Sequence, residues 1–90
     1  MQIEPVLRER VLMQLYADST RNVPSTQRHV ANDLNVPIAM ISRALKQQEK
    51  AGRVSRGELV GPGGTRGARR YLLTDEGRKR VRELLQGAGP

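Results

Sequence analysis

Residues 34–45, LNVPIAMISRAL, decide how the chain is read. Leu34 closes one apolar pattern and Asn35 follows it directly. After Gly, Asn is the residue that most readily takes the left-handed backbone conformation that ends a helix and starts a sharp turn. Val36 can plug that turn into a core. Pro37 brings a preset φ and lacks only an N–H that a first helical turn leaves unpaired anyway. A helix is therefore expected from Pro37 to about Lys50, with Gly52 stopping it. Ile41, Ala44, Leu45 and Gln48 share one side of this helix. Ala39, Arg43, Lys46 and Lys50 share the other, with Ser42 and Gln47 flanking. The outward side is small near its start and cationic further along, which suits a helix pressed into a DNA groove.

Upstream, QRHVANDL reads as a short helix with Val30, Ala31 and Leu34 inward, capped by the hydroxyl of Ser25 or Thr26. Helix, tight turn, helix is the result. The segment STRNVP before it reads as loop, with Val23 in a short strand. Residues 5–18, PVLRERVLMQLYAD, make a first helix with Leu7, Val11 and Leu15 in one line. Further apolar lines through Val6, Met13 and Ala17, and through Leu12 and Tyr16, widen its stripe enough for either a central place in the core or contact with a second subunit. His29 is the only histidine and has no companion ligand in the sequence, so it reads as a surface or boundary residue.

Downstream, Val54, Leu59 and Val60, then Tyr71, Leu72 and Leu73, flank a glycine-rich segment at 61–67. Two strands around such a loop make a β-hairpin. Thr74 caps a last helix, with Asp75 and Glu76 in the first turn where the helix dipole favours acid. Its stripe is Val81, Leu84 and Leu85. Residues 1–86 are expected to form a single domain and 87–90 a disordered tail.

Composition narrows the function. Ninety residues allow one modest core, and without Phe or Trp it must be aliphatic. Only Tyr16 and Tyr71 are aromatic, which argues against modules that read single strands by stacking. The absence of Cys removes disulfides, thiolate metal sites and cysteine nucleophiles, and fits a cytoplasmic, nucleoid-associated protein. The formal charge is +7, with seven basic and five acidic groups in residues 1–50 against nine and four in residues 51–90. A surplus concentrated around the hairpin points to a polyanionic partner. No phosphate-cradling glycine loop, metal cluster or nucleophile–base pair is recognisable, so no enzyme and no cofactor or metal is expected.

The order of elements resembles a winged helix-turn-helix domain: mainly α with a small β-hairpin, a three-helix core, the wing and a closing helix. VANDLNVPIAMISRALKQQEKAGRV resembles the bacterial regulator pattern, and YLLTDEGRKRVREL resembles the segment after the wing in MarR- and PadR-like transcription factors. A Leu-Thr-x-x-Gly signature starts the next helix there. The resemblance covers roughly residues 5–86. Gln48 stands where that pattern has an apolar residue, which implies a looser contact or cover by another chain.

The resemblance implies a sequence-specific double-stranded DNA-binding protein, a transcriptional repressor from a prokaryote, virus or plasmid. It would bind a pseudo-palindromic operator as a homodimer through its first and last helices. Residues 37–47 would enter the major groove. Pro37 opens that helix, Ile38 and Ala39 would meet thymine methyls, Arg43 a guanine edge and Gln47 an adenine. Ser25, Thr26, Gln27, Arg28 and Ser42 would bind phosphates. Arg56, Arg66, Arg69 and Arg70 would place the wing on the backbone or in the minor groove, although strand alternation lets only one of the last two face DNA. Lys46 and Lys50 would add general attraction. The rival expectations are a winged-helix adaptor working through the apolar surface of the first helix, or a basic RNA-binding protein.

Overall fold

The computed structural model describes residues 6–60 and 68–87. Its elements are α1 (Leu7–Thr20), α2 (Gln27–Leu34), α3 (Ile38–Lys50), β1 (Val54–Val60), β2 (Ala68–Leu73) and α4 (Asp75–Gly87).

Helices α1, α2 and α3 stop in the same way. Asn22, Asn35 and Gly52 each take positive φ, at 58°, 56° and 77°. Just past each, an N–H reaches back to close the last turn. Val23 donates to the Asp18 carbonyl at 2.9 Å, Val36 to Ala31 at 3.0 Å and Arg53 to Gln48 at 3.0 Å. The left-handed residues themselves donate to Ser19, Asn32 and Glu49. This paired pattern satisfies carbonyls that a helix end leaves orphaned, and it turns the chain sharply. Val36 then packs on the core beside Leu34.

Those turns fold three aliphatic stripes onto one another. Val11, Leu12 and Leu15 of α1, Val30 and Ala31 of α2, and Ile41, Ala44 and Leu45 of α3 are all buried. Val54, Tyr71 and Leu73 at the wing base and Val81 of α4 complete the cluster. Each large aliphatic side chain removed from water contributes about 1.5–3 kcal/mol before the entropy of ordering is counted. Leu12 is fully buried, whereas Tyr16 and Val6 stay exposed, so much of the wide stripe on α1 is spent inside its own domain.

Gln48 corrects the sequence reading. It is 1 % exposed, yet its amide is satisfied. Nε2 donates to the Arg8 carbonyl at 2.8 Å, and Oε1 accepts from Arg53 at 3.4 Å. A polar residue in an apolar slot here clamps α3 to α1 within one chain, and the contact is not loosened.

The strands form one antiparallel ladder, Val54 opposite Leu73 and Val60 opposite Ala68. Its register shifts between Arg56 and Leu59, so Gly57 and Glu58 together face Arg70. Val23 lies in no strand. Instead, Thr26 bridges to Arg70, and Tyr71 N–H donates to the Ser25 carbonyl at 2.8 Å, which ties the wing base to the start of α2. After β2, Thr74 links three places. Its hydroxyl donates to the Gly52 carbonyl at 2.6 Å, accepts the Gly77 N–H at 3.1 Å as a cap, and its own N–H donates to Arg53. Helix α4 lies against α1, where Arg80 pairs with Glu9. That hydrogen bond with Glu9 holds the Arg80 guanidinium even more firmly protonated than usual.

Candidate nucleic-acid interface

Thr26 is the residue that caps α2. Its hydroxyl oxygen accepts the His29 N–H at 3.2 Å. Ser25 is not available to a phosphate. It is 3 % exposed, and its hydroxyl donates to Asp18 Oδ2 at 2.7 Å. This corrects the expected phosphate set: capping leaves Thr26 at the helix end, while Ser25 turns inward. Gln27 is half-buried and donates to the Tyr71 hydroxyl at 3.0 Å, and Arg28 is exposed on the first turn.

Helix α3 presents the side anticipated from its spacing. Pro37 stands at its N-cap position with no side-chain bond. Ile38 is 47 % exposed and turned away from the core that it borders. Ala39, Arg43, Lys46, Gln47 and Lys50 are exposed, and Ser42 is half-buried. Among the described residues, Arg43, Lys46, Lys50 and Arg28 have no carboxylate within ion-pair distance. Arg43 and Gln47 line one wall of a groove of about 240 Å³, with Val6, Leu7 and Arg8 at the start of α1 opposite.

The wing arginines are differently placed. Arg56 pairs with Glu49 of α3 at 3.1 Å, so the wing base leans on the end of α3. Arg69 is exposed and donates to the Gly57 carbonyl at 3.0 Å. Arg70 is half-buried, 3.6 Å from Glu58, and its stem lies so close to Gly57 that a Cβ there would be 2.9 Å from Arg70 Cγ. The bulge and the small residue together make room for that stem. Arg66 lies outside the described residues.

His29 does have companions. Its Nε2 is 3.2 Å from Asp18 Oδ1 and 3.3 Å from Asp33 Oδ2, and the three side chains offer ligand atoms within 4.8 Å of one another. Arg21 reaches into the same group, 3.0 Å from Asp18 and 3.9 Å from Asp33. The i,i+4 spacing of His29 and Asp33 on α2 signals one half of this meeting, but Asp18 comes from a different helix and spacing does not show it. A carboxylate in the last turns of α1, facing the same way as Leu15, was the available clue.

No protein-family model matches the sequence, and no curated protein matches it. Solved structures are similar. AF1382 from Archaeoglobus fulgidus is 24% identical with a TM-score of 0.73, over 88% of this chain and 80% of its own. The PcaV transcriptional regulator from Streptomyces coelicolor, solved with its natural ligand, is 22% identical with a TM-score of 0.75, over 92% of this chain and 54% of its own. A MepR mutant from a multidrug-resistant S. aureus clinical isolate is 24% identical with a TM-score of 0.75, over 88% of this chain and 53% of its own. The chain thus spans about half the length of the last two. At these identities the likeness establishes the fold alone, a winged helix-turn-helix domain. Among the described residues no helix is long and apolar enough to cross a membrane.

Proposed function

We propose that the protein binds double-stranded DNA sequence-specifically and regulates transcription, acting as a repressor by occupying promoter DNA. Helix α3 enters the major groove. Arg43 and Gln47 reach base edges, and Ile38 and Ala39 meet thymine methyls. Thr26, Gln27, Arg28 and Ser42 grip phosphates. Arg56 and Arg66, with one of Arg69 and Arg70, carry the wing along the neighbouring backbone or minor groove, and Lys46 and Lys50 add attraction. A homodimer on a pseudo-palindromic site supplies the selectivity that one small domain lacks. The fold's resemblance to solved regulators, PcaV among them, agrees with this reading.

One observation carries it. The outward side of α3 is a row of exposed cations without carboxylate partners among the described residues, on the helix that this fold presents to a groove. Selection of bound fragments from random duplex DNA tests it directly and is expected to yield a site with two inverted halves. On that site, Arg43→Ala is expected to reduce discrimination against scrambled duplex by about 1–3 kcal/mol, measured as a ratio of dissociation constants. Unchanged discrimination would remove Arg43 from the reading face.

A further inference from the structure

The junction between α1 and α2 is organised by a single carboxylate. Asp18 is 0 % exposed. Its Oδ2 accepts from the Ser25 hydroxyl at 2.7 Å. Its Oδ1 accepts from Gln14 at 3.0 Å and Arg21 at 3.0 Å, and lies 3.2 Å from His29 Nε2. Its main-chain carbonyl accepts the Val23 N–H. These donors come from α1, from the turn after it, from the residue before the α2 cap and from the first turn of α2.

The chain of bonds continues outward. The Ser25 carbonyl accepts the Tyr71 N–H from β2, and the Tyr71 hydroxyl accepts from Gln27 at 3.0 Å. One buried carboxyl side chain therefore ties the start of α2 to α1 on one side and, through Ser25, to the wing on the other. If the position only held the core together, a well-packed apolar residue would serve at least as well, because burying a charge is expensive even when it is paired. What a satisfied network of directional bonds adds is a defined placement of the groups that make it.

We propose that Asp18 is the positioning residue for phosphate recognition. It does not touch DNA itself. It sets where Thr26, Gln27 and Arg28 stand, so that they meet the backbone while α3 occupies the groove. The inference rests on the DNA-binding reading above and adds to it a residue outside the contact surface.

The test compares the whole protein with Asp18→Asn, Ser25→Ala and Arg28→Ala on a short duplex carrying the selected site and on a scrambled duplex. Affinity is measured as a function of salt, well below each variant's unfolding midpoint, with the fold checked by circular dichroism. Asp18→Asn is expected to bind about tenfold more weakly and to show a log–log salt slope shallower by about 1–2, the signature of lost phosphate contacts. Its preference for the selected site should stay within about twofold of the wild-type ratio, because Arg43 is undisturbed. Ser25→Ala should move affinity and slope the same way by less, and it decides the matter if Asp18→Asn does not fold. If both variants only lower the unfolding midpoint and keep the wild-type slope, Asp18 is structural and the proposal is overturned. Arg28→Ala separates the two levels. A normal response there with silent Asp18 and Ser25 variants overturns this inference alone. No response at Arg28 overturns the proposed phosphate grip, and this inference with it.

Discussion

At Gly77 an added Cβ would fall on the Arg53 carbonyl, far inside van der Waals contact, and would also crowd Leu73 at 3.0 Å. The clashing atom is main chain and cannot swing aside. Its neighbour Thr74 meanwhile ties Gly52, Arg53 and the first turn of α4 together. Gly77→Ala is therefore expected to destabilise the fold by about 1–3 kcal/mol or more, read as a fall in the urea midpoint with the slope unchanged. This gives the Leu-Thr-x-x-Gly signature a physical content: the glycine lets the closing helix start against the backbone that enters the wing. The Thr was legible as a cap, but the Gly was not, because its constraint comes from a residue on another segment. Ser25 taught the opposite lesson. Its hydroxyl was expected to cap α2 or meet a phosphate, and sequence alone could not say that Asp18 takes it.

At the scale of the elements, one device recurs at the ends of α1, α2 and α3, and it explains which boundaries were readable. Asn35 and Gly52 stood out because an apolar stripe broke off just before them. Asn22 sits in a polar run with no such break, so the end of α1 read as plain loop, although its φ of 58° makes the same turn. A left-handed residue bearing a Cβ is tolerated only where its side chain is short and polar. Asn35→Gly is accordingly expected to stay within about 0.5 kcal/mol of the wild type, and Asn35→Val to cost about 1–2 kcal/mol, measured by thermal or urea unfolding. A larger loss in Asn35→Gly would mean that the Asn side chain matters beyond its backbone. The hairpin was placed correctly by its apolar flanks. Its bulge escaped notice, since only the pairing of Arg56 with Tyr71 and of Leu59 with Arg69 reveals two residues facing one.

For the whole molecule, the charge carries the testable consequence. With a formal charge of +7 and cations along α3 that have no carboxylate partner among the described residues, duplex affinity is expected to fall linearly on a log–log plot, with a slope of about −0.9 for every phosphate neutralised. A salt titration by fluorescence anisotropy reads this directly. An adaptor working through apolar surface would scarcely respond, and structured RNA that outcompeted duplex would point to the other rival. The fold was legible almost entire, because periodicity, caps and glycines all agreed. The polar interior was not, since Asp18, Gln48 and Tyr71 acquire their partners only when separate segments meet. Tyr71 also has a practical use. In a protein without tryptophan, Tyr16→Phe would leave it the sole tyrosine, seated where the wing base touches the head of α2. Its emission would then report movement at that joint without any attached dye.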